Sequence, residues 1–155
     1  MSSEKRKIAY IDGKPYEIGA NHTSILKFVK SYVGEKKVPT LCDDPNLAPY
    51  GACRVCSVEV ALEKDGPTKM VASCHTPVAE NQHIFTSNEA ITSLRKNIVE
   101  LVLTDHPMEC DSCEVNNNCE LQTVANDLGI SDHRYNSPKQ HKGIPRDTSH
   151  DYMRM

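Results

Sequence analysis

The sequence predicts an α+β fold: a mixed β-sheet packed against one helix, followed by a short helical part. Three observations carry this. Short strand-like runs separated by turn residues occupy much of residues 7–86. One amphipathic helical run interrupts them near residue 25. From Asn88 onward the apolar period changes to that of a helix.

The elements follow in order. Residues 7–18, KIAYIDGKPYEI, place Asp12-Gly13 between two strand-like runs, the signal of a tight β-hairpin. Thr23 or Ser24 caps the helical run ILKFVKSYV, whose apolar face is Ile25, Leu26, Phe28, Val29 and Val33. Gly34 stops it. Residues 39–53 are rich in Pro, Asp, Asn and Gly and read as a loop. Strands are expected over 54–62, 69–73 and 82–86. In the helical part, Thr86 and Glu89 have capping-box spacing. The helix after them presents Ile91, Leu94, Ile98, Leu101 and Val102 and ends near Leu103, before Pro107. It should be roughly 24 Å long at about 1.5 Å per residue. A second helix, ELQTVANDLG, turns Leu121, Val124, Ala125 and Leu128 inward and stops at Gly129. The expected division is 1–86, 87–130, and a polar extended tail over 131–155. There is no internal repeat.

The composition limits what such a chain does. Apolar residues make up 38% of the 155 and aromatics 5%, with no Trp. That is a thin supply for one large core and gives weight to metal cross-links. The net charge of −3 indicates no nucleic-acid footprint and no membrane-surface patch. The N-terminus, MSSEKRKIAYIDG, has a basic start without the apolar stretch of a secretory signal. No apolar run approaches the roughly 18 residues of a membrane span. A cytoplasmic chain without direct membrane insertion is expected. No Gly-rich nucleotide loop and no P-loop is present, and nothing resembles a substrate site.

Seven cysteines are the outstanding feature. Without an export signal, clustered cysteines point to metal rather than disulfides. Cys42, Cys53, Cys56 and Cys74 fall as C-x10-C-x2-C-x17-C. Four thiolates satisfy a [2Fe–2S] cluster. Gly51 and Ala52 are small enough for the backbone to wrap closely and aim N–H groups at sulfur. His106, Cys110, Cys113 and Cys119 fall as H-x3-C-x2-C-x5-C between the two helices. Three thiolates and one imidazole match the four ligands of a [4Fe–4S] cluster. Seven cysteines and one histidine thus make two complete sets with none left over. On residue types alone, both sets also suit structural zinc, and Cys53/Cys56 also suit a redox disulfide. The other six histidines read as ordinary structural or exposed residues. Asp43 and Asp44 read as a solvated acidic pair, and Met108 as a packing residue.

The motifs carry a family resemblance. The order of strands, helix, loop cysteines and late cysteine resembles a plant-type ferredoxin of the β-grasp fold. GACRVC at 51–56 and ASCHTPV at 72–78 resemble the variant in the large iron–sulfur subunit of respiratory complex I. HPMECDSCEVNNNC and CELQTVANDLGI resemble the histidine-ligated cluster region of several related proteins. These are that same subunit, the N-terminal part of [FeFe]-hydrogenases, the diaphorase part of bidirectional hydrogenases, and NAD-dependent formate dehydrogenases. The resemblance covers about residues 7–135. It implies a relay of single electrons through one [2Fe–2S] and one [4Fe–4S] cluster. It also implies a flavin/NAD(P)-binding diaphorase-type partner and a catalytic or further iron–sulfur subunit. Larger relatives continue into further cysteine runs, and residues 143–155 look like the approach to one. The chain is therefore expected to be either a short subunit or a piece of a longer one.

Overall fold

The computed structural model describes residues 6–132, 134 and 135. Most of the expected tail lies outside the described residues. Strands β1 (Ile8–Ile11) and β2 (Lys14–Glu17) form the expected hairpin. Asp12 and Gly13 both have positive φ, 48° and 82°, as a twisted two-residue turn requires. Helix α1 (Ile25–Val33) begins where Ser24 accepts a hydrogen bond from Lys27 N–H, so Ser24 and not Thr23 is the cap. Gly34, at φ 103°, ends the helix by donating to Lys30 C=O.

Strands β3 (Ser57–Ala61), β4 (Lys69–Ala72) and β5 (His83–Phe85) complete a five-stranded sheet of order β2-β1-β5-β3-β4. β1 and β5 are parallel, and the other pairings are antiparallel. Parallel neighbours need a long crossover. Here that crossover contains α1 and both loops that bear the first cysteine set. Ile25, Leu26, Phe28 and Val29 from α1 pack on Ala9, Ile11, Val58 and Ile84 of the sheet. Val33 is exposed, so the apolar face ends one turn earlier than expected.

Helix α2 (Glu89–Thr104) departs from the sequence reading in two ways. Its cap is Asn88, whose side chain accepts from Ile91 N–H at 2.8 Å. Thr86 is fully buried instead and bonds to Asp12: its N–H and its hydroxyl donate to the two carboxylate oxygens at 2.8 and 2.6 Å. This ties the hairpin turn to the end of β5. The buried face is also rotated, to Ile91, Arg95, Val99, Glu100 and Leu103. Leu101 is 55% exposed. The rotation is possible because the two inward polar residues have partners: Arg95 donates to Ser57 C=O, and Glu100 accepts from Arg134.

Helix α3 (Glu120–Asp127) closes the second part. Gly129, at φ 66°, follows its end, and Ile130 N–H donates back to Ala125 C=O. Val99, Leu103, Val124, Ala125 and Ile130 form a second core, and the remaining buried member is Val55, from the loop before β3.

The Asp12–Thr86 link yields a stability test. Asp12→Ala and Thr86→Val are each expected to lower unfolding free energy by about 1–3 kcal/mol. In the double variant the losses should fall short of additive, because both changes remove the same hydroxyl–carboxylate bond, while Asp12→Ala alone also removes the bond from the Thr86 N–H. Urea unfolding of the four proteins measures this, and additive losses would contradict the link.

Candidate metal centres

The first cysteine set lies where the sheet core meets the long loop. Cys56 and Cys74 are buried among the sheet-core residues, whereas Cys42 and Cys53 are half-buried. Arg54, at φ 64°, adopts a left-handed conformation inside the C-x2-C turn. The turn therefore points its residues to different sides. Cys56 joins the sheet core, while Val55 and Cys53 pack with the helical core. Ser57 fastens the turn from below: its N–H and its hydroxyl both donate to Arg54 C=O. Ser73 does the same for the fourth cysteine, donating through its hydroxyl to Cys56 C=O at 2.7 Å. Lys30 on α1 bridges Glu35 and Asp43 at 3.1 and 3.3 Å. Asp43 is thus an anchor of the Cys42 loop rather than a merely solvated acid, and Asp44 accepts from Asn46 N–H.

The sulfur chemistry fits a polynuclear group. Burial first, and then the neighbouring Cys56 and Cys42 thiols, push the Cys74 thiol up to about 12, against a Gly51 backbone hydrogen bond that pulls the other way. Cys56 and Cys42 are therefore both within electrostatic reach of the buried Cys74. A thiol raised this far, as Cys74 is, becomes anionic near neutral pH when a metal cation balances it. Gly51 has φ 72°, and a Cβ there would meet Ala72 Cβ at 3.4 Å. The backbone comes this close because the residue has no side chain. Cys53 packs against the helical core.

The second set surrounds the junction of α2 and α3. His106 lies two residues past α2, and its N–H donates to Leu103 C=O at 3.2 Å. Cys110 opens a 3₁₀ turn (Cys110–Ser112), and Cys119 is the cap residue of α3. His106, Cys110 and Cys119 line one cavity of ≈ 240 Å³, together with Met108 and the apolar Leu103, Leu121, Ala125 and Ile130. Its volume is roughly that of eight water molecules. Met108 borders the site, 41% exposed, rather than packing in a core. Cys113 is exposed and does not line this cavity; its N–H donates to Cys110 C=O at 3.1 Å. Gln122 staples the loop to α3, accepting from Asn117 N–H at 2.8 Å and donating to Asn116 at 2.9 Å. A second groove, of ≈ 330 Å³, has residues 35–40 on one wall and Asn117–Asp127 on the other, so the two parts of the chain face each other there. Among the described residues, no three His, Cys, Asp or Glu side chains are gathered as a site for a single metal ion.

Sequence reasoning named eight candidate donors but missed Val55, Arg95 and Gln122, which pack or bond against the loops that carry them. Gln122 had a faint signal, standing three residues after the cap of α3, where a capping side chain folds back.

A ferredoxin-like mixed sheet with four loop cysteines, followed by a His/Cys set between two helices, defines an iron–sulfur protein with two sites. The chain belongs to the family of 2Fe-2S iron–sulfur cluster binding domains, which it matches over residues 7–89. Residues 95–134 match the NADH-ubiquinone oxidoreductase-G iron–sulfur binding region, a 4Fe–4S type. Each set of four candidate donors falls inside one matched region. The chain is 34% identical over 137 residues to NADPH-Fe(3+) oxidoreductase subunit alpha of Geobacter sulfurreducens, covering 88% of this chain and 15% of that protein. It is 34% identical over 133 residues to an NADH-quinone oxidoreductase subunit of Escherichia coli K12, covering 84% and 14%. The chain thus spans about 15% of the length of these relatives. The crystal structure of an NAD+-reducing [NiFe]-hydrogenase in the H2-reduced state shares the fold, with a TM-score of 0.75 and 23% identity, over 94% of this chain and 57% of that one.

Gly51 offers a local test. Gly51→Ala is expected to cost about 1–2 kcal/mol, because an L residue is forced into a left-handed conformation. The sheet-side site should lose iron and the helical site keep it. Iron per chain and visible absorption report this, and unchanged iron content with unchanged stability would count against the close wrap.

Proposed function

We propose that the chain relays single electrons inside an NAD(P)-linked oxidoreductase. In this reading Cys42, Cys53, Cys56 and Cys74 hold the [2Fe–2S] cluster, and His106, Cys110, Cys113 and Cys119 hold the [4Fe–4S] cluster. One observation carries the reading: the seven cysteines and His106 supply eight ligands, which divide without remainder between the two iron–sulfur regions. When bound, the clusters supply one-electron carriers whose potentials respond to ligand charge and hydrogen bonding. The chain's own residues do the rest. Gly51 directs an N–H to the Cys74 sulfur. Ser73 and Ser57 fix the loop backbone. Gln122 sets the shape of the second loop. The exchange partners are a flavin/NAD(P)-binding diaphorase-type subunit and a catalytic or further iron–sulfur subunit, since relatives named as NADPH-, NADH- and NAD+-linked enzymes share this arrangement. The domain division is 1–86 and 87–130, and the location cytoplasmic. No helix among the described residues is long and apolar enough to cross a membrane.

Anaerobically purified protein should be brown and carry roughly six irons per chain, two and four in the two cluster types. Cys74→Ser should abolish the [2Fe–2S] signal in electron paramagnetic resonance and leave the other. Cys119→Ser should do the reverse. Colourless protein with two zinc ions sinks this function. A further expectation concerns His106. A neutral imidazole in place of a thiolate makes the cluster less negative and raises its potential. His106→Cys should therefore lower the [4Fe–4S] midpoint in a redox titration, and an unchanged or higher midpoint contradicts the assignment of His106 as ligand.

A further inference from the structure

Arg95 is a charged residue in a place that does not solvate it. It is 5% exposed, on the inward face of α2. Its Nη2 donates to Ser57 C=O at 2.8 Å, one residue past Cys56. Its Nε has no hydrogen-bond partner, the only buried side-chain nitrogen or oxygen in that position among the described residues. Burial lowers its pKa to about 10. A guanidinium at that value is still a cation at neutral pH. Burying a cation against one neutral carbonyl is strongly unfavourable unless an anion stands nearby. Among the described residues, no Asp or Glu forms an ion pair with Arg95. The carbonyl it bonds belongs to the residue that follows Cys56, so the negative charge the fold can bring beside it is that of the bound cluster.

We propose that Arg95 is a positioning residue for the first cluster: its buried guanidinium, tied to Ser57 C=O beside Cys56, holds the Cys53–Cys56 turn against α2 and favours the more negative, reduced cluster. The inference rests on the [2Fe–2S] assignment made above. Reduction adds one electron and one negative charge to the site. A fixed cation close by stabilises that charge, and the poorly solvated surroundings screen it little. The cation sits on α2, whose far end leads to His106, so one helix both supports the first site and delivers a ligand of the second.

The test uses the full 155-residue chain, purified anaerobically, with dithionite as reductant and both clusters followed by electron paramagnetic resonance. Arg95→Gln keeps a donor for Ser57 C=O and removes the charge, whereas Arg95→Lys keeps the charge. At a fixed poise, Arg95→Gln is expected to lower the reduced-to-oxidised ratio of the [2Fe–2S] cluster about tenfold, which is about 59 mV for a one-electron couple. The [4Fe–4S] ratio should stay as in the parent, and Arg95→Lys should stay within about threefold of the parent. An unshifted [2Fe–2S] cluster in Arg95→Gln, or equal shifts in both clusters, overturns the proposal. If Arg95→Gln fails to hold its cluster, Arg95→Lys decides: a tenfold fall there overturns it, and a near-parental ratio supports it. A parent protein without any [2Fe–2S] signal would instead defeat the proposed function itself.

Discussion

Val55 and Cys56 are neighbours in the chain and belong to different cores. The left-handed turn at Arg54 puts the Val55 side chain among Val99, Leu103 and the residues of α3, while Cys56 lies under the sheet. A fully buried valine is worth about 1.5–3 kcal/mol relative to an exposed one. That burial fixes the position of the C-x2-C turn as firmly as the sheet does. The loop bearing the first cysteines is therefore a shared wall rather than a surface appendage. Neither half of the chain completes its core without it.

The same constraint explains why α2 shows an unexpected face. With Val55 inserted, the helix sits close enough to the loop for Arg95 to reach Ser57 C=O. At the next inward polar position, Glu100 is 8% exposed and meets Arg134. Each buried charge on this helix is matched to one place in the fold. Such contacts add little net stability, yet they discriminate sharply against a rotated helix, because rotation would leave charges buried without partners.

What the sequence disclosed, and what it hid, follows the range of the interactions. The hairpin was readable because Asp12-Gly13 acts over two residues, and α1 because Ser24 caps from three residues away. The two candidate ligand sets stand out in the sequence because their signal is the spacing within each loop. The cap of α2 was misread because Thr86 looked like a local cap and instead finds Asp12, 74 positions earlier. The helix face was misread for the same reason. Arg95 and Glu100 count as outward residues by type, and only partners 38 and 34 positions away turn them inward. Long-range polar partners leave no mark in local periodicity.

The two sets of cysteines also meet solvent differently. Cys56 and Cys74 lie beneath the sheet, whereas His106 and Cys113 are exposed in the chain as it stands. Oxidants and chelators arrive from water, so their first encounter is with the helical end. Damage then has a built-in sequence. The helical site is the one such reagents meet without opening the sheet core, where Cys56 and Cys74 are buried. A molecule that had lost the outer four of its six irons would still present a folded ferredoxin-like body, with Cys56 and Cys74 buried in the sheet core.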